Sequence, residues 1–535
     1  MNPLSPGEPL PAAAQELSLP SQPVSLRRRL QINTTANLVG RLLTGSLGLW
    51  FIPLYVRYLG VAWYGLVGVY ASLQSLLSLL DFGLGANLNR EFARREGMAT
   101  AQRGQEMRDL LRTFERVYWV VGLASAASIV VAAPWLARDW LRLDGMPIDR
   151  VTGVLRLMGL AFVLQWPAQL YQGGLAGLER QVTANWIVVL TSAVRSFGML
   201  AVLAWVSPTI EAFFVWSAIA SLIQTLAPRI ALAGALPPGT RRPRWSQVAI
   251  ESTWRFSAGL TALQLSGIIL TQVDKVVLSR LLSLAEFGYY TLASVPANAL
   301  YFLITPIYGA IFPRLCALVA APDQTQTARL YHAGSQALAV LVLPAALVLS
   351  LFSSEAVLAW TGDPGSASKI HVVVSVLVIG TALNGLLYMP HALQLAAAWV
   401  RLGLVMNLAS CCLLVPLVTG LALRYGAVGA ASGWLMLNSA SLVVGIRLTH
   451  RKLLPGETRH WLTFDLLLPL LCAASVIVTA RVLVPSQLDR LHCVIVLAIV
   501  SPLALGAACL GAPEMRREAV RLWHARLART RAAAT

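Results

Sequence analysis

The sequence predicts an all-α polytopic membrane protein with about 14 transmembrane helices. We expect two six-helix lobes related by a parallel repeat, plus two extra C-terminal helices. Three observations predict this fold class. The 535 residues are 57% hydrophobic and only 12% charged, whereas about a quarter of the residues in a soluble domain are charged. Apolar runs recur from Ile32 to Gly511. A nine-residue stretch of the first half returns in the second half.

The apolar runs are continuous and do not alternate apolar with polar residues, which predicts helices rather than the strands of a barrel. A bilayer core needs roughly 20 apolar residues for each helix. We therefore expect spans at about 32–55, 64–88, 117–137, 151–172, 182–206, 212–232, 256–279, 288–312, 330–352, 370–392, 400–421, 427–448, 462–483 and 491–511.

The basic residues predict the orientation of these spans. The chain has 42 Lys and Arg and a net charge of +18. With the N-terminus inside, most of the basic residues fall in cytosolic segments. The outer segments hold Arg57, Arg138, Arg142, Arg150, Arg280, Lys369, Arg424, Arg481 and Arg490. Lys and Arg are enriched in the cytosolic loops of membrane proteins, so we expect a multi-pass protein of the bacterial inner membrane with both termini cytosolic. Because the basic charge reflects this orientation, we expect no nucleic-acid partner.

The repeat lies just after the first predicted span of each half. Arg57–Gly65 aligns with Arg280–Gly288 at an offset of 223 residues, and five of nine positions are identical or both aromatic. Six predicted helices separate the copies, so both copies have the same orientation. Such a parallel repeat, related by an axis along the membrane normal, is known in secondary transporters.

The repeat and the loops divide the chain into segments. We expect a disordered cytosolic tail, because residues 1–25 are rich in Pro, Ser and Ala. The other predicted segments are the N-lobe at 26–235, a cytosolic linker at 236–255, the C-lobe at 256–450, the extra helices at 451–512 and a basic cytosolic tail at 513–535. The longest predicted loops, 89–116 and 233–255, are rich in Arg.

Nothing in the sequence indicates an enzyme or a bound cofactor. No outer segment is long enough for a folded catalytic domain, and there is no phosphate-binding loop, nucleophile elbow or zinc motif. The six cysteines lack metal-type spacing, and no histidine has a partner at ligand spacing. We therefore expect a protein that is not an enzyme, without a cofactor or a metal.

Ionisable side chains within a bilayer are costly and usually face a protein interior or a water-filled cavity. The candidate substrate-binding residues are polar or charged side chains inside predicted spans: Asn37, Arg41, Arg156, Arg195, Gln264, Asp274 and Lys275. Several cations with few acids predict a cavity for an anion. A guanidinium suits phosphate through paired charge-assisted hydrogen bonds, and a diphosphate headgroup fits this chemistry.

The alternative is that these cations only hold the bundle together. They would then pair with Asp81, Asp274 or helix carbonyls, and Arg156 and Lys275 can reach the interface along their apolar stems. Asp274 and Lys275 point to different helix faces, so each needs its own partner.

Asp81, Gly83 and Gly85 close the second predicted helix. An Asp followed by two glycines breaks a helix and bonds exposed backbone groups. We favour this structural or gating role over substrate or proton binding.

Two stretches carry a family resemblance. Leu79–Gly85 followed by Asn89–Ala93, and Gln272–Leu282 running into Phe287–Tyr290, resemble polysaccharide-export flippases. These proteins belong to the multidrug/oligosaccharidyl-lipid/polysaccharide exporter superfamily, with O-antigen flippases and the lipid II flippase as relatives. The resemblance implies two lobes around a central cationic cavity that translocate a polyprenyl-diphosphate-linked oligosaccharide by alternating access.

The resemblance also implies membrane lipid as a partner, together with glycan-assembly enzymes such as a polymerase and a chain-length regulator. In the lipid II flippase two further helices form a groove for the lipid tail, and the last two spans are similar in number. This chain has one Arg in helix one where the lipid II flippase has a cluster, which favours an O-antigen or exopolysaccharide unit.

Two other functions compete with this prediction. A cation-coupled multidrug exporter of the same superfamily would need acidic groups for its cationic drugs, whereas the predicted interior is net positive. A membrane glycan polymerase or ligase would share the lipid-linked substrate, but such enzymes usually need a large outer loop.

Overall fold

The computed structural model describes residues 24–81, 83–95, 100–247, 266–320, 323–485 and 488–517. The predicted N-terminal tail, apart from its last two residues, and the basic tail beyond Arg517 lie outside these ranges. In the first helix the side chains before Gly40, and those of Arg41 and Leu42, also lie outside the described part.

The first half is built from eight helices between residues 24 and 235. They are α1 (Val24–Leu59), α2 (Val61–Leu77), α3 (Leu84–Arg94), α4 (Thr100–Trp135), α5 (Ile148–Gln165), α6 (Ala168–Gly177), α7 (Gln181–Ala201) and α8 (Ile210–Ala235). A short 3₁₀ turn, Ser78–Asp81, follows α2. Helix α1 packs along α7, α5 packs between α4 and α8, and α3 packs on α6.

The described part of the second half continues with helices to residue 510. They are α9 (266–281), α10 (Leu284–Ala299), α11 (Tyr301–Ala320), α12 (Gln324–Leu351), α13 (Ser353–Thr361), α14 (Pro364–Leu386), α15 (Tyr388–Ala396), α16 (Val400–Leu453), α17 (Thr458–His460), α18 (Leu468–Leu483) and α19 (Arg490–Leu510). A stretch of π-helix, Trp461–Leu467, joins α17 to α18. The prediction of an all-α polytopic membrane protein is confirmed.

Eleven helices of the described ranges are long and apolar enough to cross a membrane. One of them, α16, covers two predicted spans, because the chain turns at Gly426 (φ 57°, ψ −139°) between them. Helix α1 covers the first predicted span, and α9 covers only the end of the seventh, whose beginning lies outside the described residues. The total of fourteen therefore stays a prediction.

The two copies of the sequence repeat contact each other through α2 and α10. A Cβ atom on Gly65 would lie 2.3 Å from the carbonyl oxygen of Leu284, and one on Gly288 would lie 2.3 Å from the carbonyl oxygen of Val61. Positions 61 and 284, like 65 and 288, are related by the offset of 223 residues. The contact therefore has approximate two-fold symmetry, and both glycines allow the two backbones to approach closely.

Further hydrogen bonds join the halves close to this contact. The Trp140 indole donates to Ser279 Oγ at 3.0 Å, and the backbone N–H of Leu284 donates to the carbonyl of Arg142 at 3.0 Å. We call this end of the bundle the repeat end.

The long loop predicted at 89–116 is largely helical, because α3 runs to Arg94 and α4 begins at Thr100. Its charges pair along and between the two helices: Arg95 bonds to Glu91 at 2.6 Å and to Glu106 at 3.1 Å. Burial raises the pKa of Glu91, but the hydrogen bond and the charge of Arg95 outweigh burial and hold this pKa below its usual value. The Arg-rich composition thus reflects paired helix faces.

The described part of the predicted linker docks on α4 instead of extending freely. Arg108 Nε donates to the carbonyl of Pro237 at 3.0 Å. The Asp109 carboxylate accepts from the Arg241 guanidinium and from the backbone N–H of Arg244, both at 2.7 Å.

The C-terminal helix pair packs on α12 of the second half. Val340, Val348 and Phe352 form an apolar cluster with side chains of α18 and α19. At one end of the pair, Arg481 of α18 forms an ion pair with the buried Glu355 of α13. In the described residues, the extra helices are therefore attached to the second half.

Candidate functional site

Arg195 lies at the centre of a polar network in the first half. Its guanidinium Nη1 is 3.5 Å from Gln165 Oε1, and the Tyr70 hydroxyl lies nearby. Gln74 Nε2 bridges the network, at 2.6 Å from Gln165 Oε1 and 2.9 Å from the Tyr70 hydroxyl. The Trp216 indole donates to the Arg195 carbonyl at 3.1 Å, which fixes α7 against α8.

None of these partners is charged. In the described part of the chain, Arg195 has no carboxylate within ion-pairing distance. Its positive charge is therefore solvated by amide and hydroxyl groups and remains available to an anion.

Asp81 and Asp274, the two acids named as alternative partners of the interior cations, are bonded to tyrosines instead. The Tyr118 hydroxyl donates to Asp81 Oδ1, and the Tyr290 hydroxyl donates to Asp274 Oδ2 at 2.6 Å. Asp274 is only 8% exposed, and its Oδ1 has no partner among the described residues. A hydroxyl satisfies a carboxylate without cancelling its charge.

A cavity of about 520 Å³ lies beside the Arg195 network. It is lined by side chains of α2, α5, α6, α7 and α8, and its polar lining consists mostly of amides: Gln74, Gln165, Gln169, Gln172 and Gln224, with Ser75 and Ser78. Phe162 and Trp166 supply aromatic surface. The Trp166 Nε1 and Gln224 Oε1 atoms are buried without a partner in the described ranges, so the lining retains unused hydrogen-bonding capacity. We call this the glutamine cavity.

A second cavity, of about 270 Å³, lies in the second half. Asp274 and Lys275 both line it, together with Tyr290, Asn298 and Tyr301. Because Asp274 and Lys275 are adjacent, they point to different helix faces and have separate partners. Lys275 Nζ is 3.4 Å from the Thr271 carbonyl, whereas Asp274 bonds to Tyr290. No carboxylate in the described residues forms an ion pair with Lys275.

The remaining candidate binding residues lie only partly within the described ranges. Arg41 and Asn37 lie on α1, but their side chains are outside the described part, and Gln264 is outside it altogether. Near Arg41, the position of Gly40 faces Asn185 of α7. Arg156 is exposed on α5. The structure brings together Arg195 and neutral residues in one half, and Asp274 and Lys275 in the other.

The segment around Asp81 interrupts the chain between α2 and α3. Gly83 has left-handed backbone angles (φ 71°, ψ 20°), and the backbone N–H groups of Gly83 and Gly85 lie near the Asp81 carboxylate. A Cβ atom on Gly173 would lie 2.3 Å from the Gly85 carbonyl oxygen. The segment thus turns the chain and holds α3 directly on α6.

The glutamine cavity is the feature that sequence reasoning missed. Uncharged amides form no recognised motif, and the five glutamines come from three separate stretches of the chain. One signal was present: Gln165, Gln169 and Gln172 recur at spacings of four and three within an apolar region, which is the spacing of one helix face.

Comparison with known proteins places the chain in a family. Residues 30–319, more than half of the chain, match the family described as "Polysaccharide biosynthesis protein". The chain belongs to this family. The family resemblance predicted from the two motif stretches is confirmed.

Two curated relatives agree with membership in the polysaccharide biosynthesis protein family. The succinoglycan biosynthesis transport protein ExoT of Rhizobium meliloti is 24% identical over 333 residues, which are 59% of this chain and 62% of ExoT. The lipopolysaccharide biosynthesis protein WzxC of Escherichia coli is 25% identical over 372 residues, which are 66% of this chain and 71% of WzxC.

This member of the polysaccharide biosynthesis protein family shares its fold with a solved flippase. The lipid II flippase MurJ in an inward closed conformation superposes with a TM-score of 0.63 over 88% of this chain and 97% of MurJ, at 10% sequence identity. At this identity the likeness concerns the fold alone, that of a multi-pass membrane transporter.

Proposed function

We propose that the protein is a flippase that moves a polyprenyl-diphosphate-linked oligosaccharide, an O-antigen or exopolysaccharide repeat unit, across the bacterial inner membrane. It does no covalent chemistry and needs no cofactor. Family membership, the transport activity in the name of ExoT and the flippase fold of MurJ support this proposal. The observation that carries it is the Arg195 charge, which no described carboxylate neutralises, beside the glutamine cavity.

The two parts of this site fit the two parts of the proposed substrate. A diphosphate is an anion, and a guanidinium can donate two parallel hydrogen bonds to its oxygens. Gln amides both donate and accept, as sugar hydroxyls do, so the cavity can exchange hydrogen bonds with a glycan. A volume of about 520 Å³ lies within the range of about 300–1,000 Å³ that holds small ligands. Arg41 and Asn37 on α1 extend the anion site in this proposal, and Gln264, Arg156, Asp274 and Lys275 contribute along the path.

The repeat supports an alternating-access mechanism. With the orientation predicted from the basic residues, both termini are cytosolic and the repeat end faces outward. The close contact between α2 and α10 then closes the outer side, and separation of these helices opens it. Asp81, Gly83 and Gly85 hold α3 on α6 at the opposite side and serve as a gate. Glycan-assembly enzymes on the outer side, such as a polymerase and a chain-length regulator, consume the product.

The experiment measures which leaflet holds the lipid-linked oligosaccharide in cells that carry Arg195→Ala. Loss of a hydrogen bond to a charged group is worth about 1.5–3 kcal/mol, so transport should fall by roughly tenfold to a hundredfold, with units retained in the inner leaflet. Arg195→Lys keeps the charge but not the paired geometry, so its transport should lie between that of the unaltered protein and that of Arg195→Ala. Arg424→Ala, which removes an exposed arginine of α16, is the matched control.

Normal export by Arg195→Ala at equal expression would remove Arg195 from the mechanism. Normal export by cells that lack the whole protein would overturn the flippase proposal. If those cells instead became sensitive to cationic drugs while their glycan export continued, the multidrug exporter would be the correct function. An altered glycan chain length with normal leaflet distribution would point to the polymerase or ligase.

A further inference from the structure

Two histidines and two acids meet where the C-terminal helix pair joins the second half. His332 of α12, His460 of α17 and Asp465 of the following π-helix each place one possible ligand atom within 4.8 Å of the other two. His332 and Asp465 are buried, with side chains 7% and 1% exposed. Glu457 lies on the other side of the His332 ring, with its Oε2 3.2 Å from Nε2.

We propose that this cluster binds a divalent transition metal of the Zn²⁺ class and fastens the C-terminal helix pair to α12. Imidazole nitrogen and carboxylate oxygen are ordinary Zn²⁺ ligands, and three protein ligands with a water in the fourth position form a common zinc set. The ligands are His332 Nδ1, His460 and Asp465. The proposal is independent of the transported substrate.

The hydrogen bonds around the cluster match the surroundings of a metal ligand. His332 Nδ1 lies 2.5 Å from Asp465 Oδ2, a separation bridged by one proton. A tetrahedral ion with bonds near 2.0 Å holds its ligand atoms about 3.3 Å apart, so the ion replaces this proton after the two side chains part by about 0.8 Å. Glu457 then accepts from the opposite nitrogen of His332, the carboxylate–histidine–metal arrangement that orients a ligand ring.

A further shell positions the acid. Gln336 Nε2 donates to Asp465 Oδ1 at 2.9 Å, and Gln336 Oε1 accepts from the backbone N–H of Glu514, just after α19, at 2.9 Å. The cluster thus joins α12, the start of α18 and the end of α19. At the opposite end of the same helices, the Glu355–Arg481 ion pair makes a second attachment.

The spacing of these residues along the chain does not indicate a metal site. His332 is separated from His460 and Asp465 by more than 100 residues, and the π-helix Trp461–Leu467 changes the spacing of the side chains that follow His460. Metal-ligand motifs are recognised by short spacing, and no such spacing occurs here.

The test is the metal content and Zn²⁺ affinity of the full chain, purified with a tag that contains no histidine. We expect about one Zn²⁺ per chain and a higher midpoint of thermal unfolding in Zn²⁺ than in EDTA. His460→Ala, which changes the ligand nearest the surface, should lose stoichiometric binding. Glu457→Gln should weaken affinity by about tenfold to a hundredfold, because it changes only the residue that orients His332.

His492→Ala is the matched control, because His492 and Asp489 form an exposed histidine–carboxylate pair without a third ligand in the described residues. It should bind Zn²⁺ like the unaltered chain. The proposal is overturned if the unaltered chain binds no more Zn²⁺ than His460→Ala, or if His492→Ala reduces binding as much as His460→Ala does. A thermal midpoint identical in Zn²⁺ and EDTA would also overturn it, and that measurement requires no variant.

Discussion

The glycine contact at the repeat end can be tested by adding a single methyl group. In Gly288→Ala the new Cβ would lie 2.3 Å from the Val61 carbonyl oxygen, whereas ordinary contact begins at 3.4 Å. Helix α10 must therefore move away from α2 by about 1 Å, because neither the Cβ atom nor a backbone oxygen can rotate aside. Overpacking of this kind costs about 1–3 kcal/mol. The closed repeat end should lose population by roughly 5- to 150-fold relative to an open one.

The assay is a distance measurement between spin labels at positions 58 and 280, both exposed at the repeat end, in a cysteine-free background. We expect a longer distance, or a second longer population, in Gly288→Ala. Gly153→Ala is the matched control, because a Cβ atom at this glycine of α5 meets nothing within 4 Å. It should leave the distance unchanged.

The two-fold character of the contact gives a second requirement. Gly65→Ala alone should open the repeat end as Gly288→Ala does, since its Cβ meets the Leu284 carbonyl at the same 2.3 Å. Once one substitution has separated the helices, the other costs little. The opening of the repeat end in the double variant should therefore be smaller than the sum of the openings in the two single variants. If Gly288→Ala has the same distance distribution as Gly153→Ala, or if the two effects add fully, the repeat contact is not the closing element.

Three further substitutions test the packing around the site. Tyr290→Phe leaves the buried Asp274 carboxylate without its 2.6 Å hydrogen bond and should lower the free energy of unfolding by about 1–3 kcal/mol; an unchanged thermal midpoint would show that water satisfies the acid. Gly173→Ala places a Cβ 2.3 Å from the Gly85 carbonyl oxygen and should lower the free energy of unfolding by about 1–3 kcal/mol. An unchanged thermal midpoint would show that α6 can shift without loss of stability. Glu355→Gln breaks the ion pair to α18 and should speed hydrogen exchange in α18 but not in α5; equal exchange before and after would mean that apolar packing alone holds α18.

The fold class was predictable because a bilayer imposes it on the sequence. In lipid, every backbone polar group needs an internal partner, so long apolar runs must become helices. The repeat was predictable for a related reason. Gly65 and Gly288 sit where two backbones touch, and only glycine permits such an approach, so their equivalent positions remain visible in the chain. Even the break in α16 fell between two predicted spans, at Gly426.

The loop predicted at 89–116 was wrong because charge alone does not distinguish a loop from a solvated helix. Glu91, Arg95 and Glu106 form ion pairs that tie α3 to α4, and pairs such as Glu91 and Arg95, four residues apart, stabilise a helix. The prediction relied on hydropathy, which places the membrane boundary but not the end of a helix that continues beyond it.

The candidate site was predictable only where a charge lies in an apolar run. Arg195, Asp274 and Lys275 could be singled out in this way, because a membrane interior makes each of them costly. Their partners could not be identified, since Tyr118 and Asp81 are 37 residues apart and Gln165 lies 91 residues from Gln74. Such pairs are created by the packing of helices, which no single-helix periodicity encodes.

The pairing of acids with tyrosines explains why the interior can be both stable and cationic. An Asp–Arg ion pair would satisfy both side chains, but it would also cancel the charge that an anionic substrate needs. With Asp81 bonded to Tyr118, and Asp274 to Tyr290, each acid has a neutral partner. Among the described residues, Arg195 likewise has a neutral partner, Gln165, and lies near the neutral Tyr70 hydroxyl. In the proposed function, an arriving diphosphate therefore has no internal carboxylate to displace from Arg195 among the described residues, and the gain from a new ion pair is not offset by the loss of an old one.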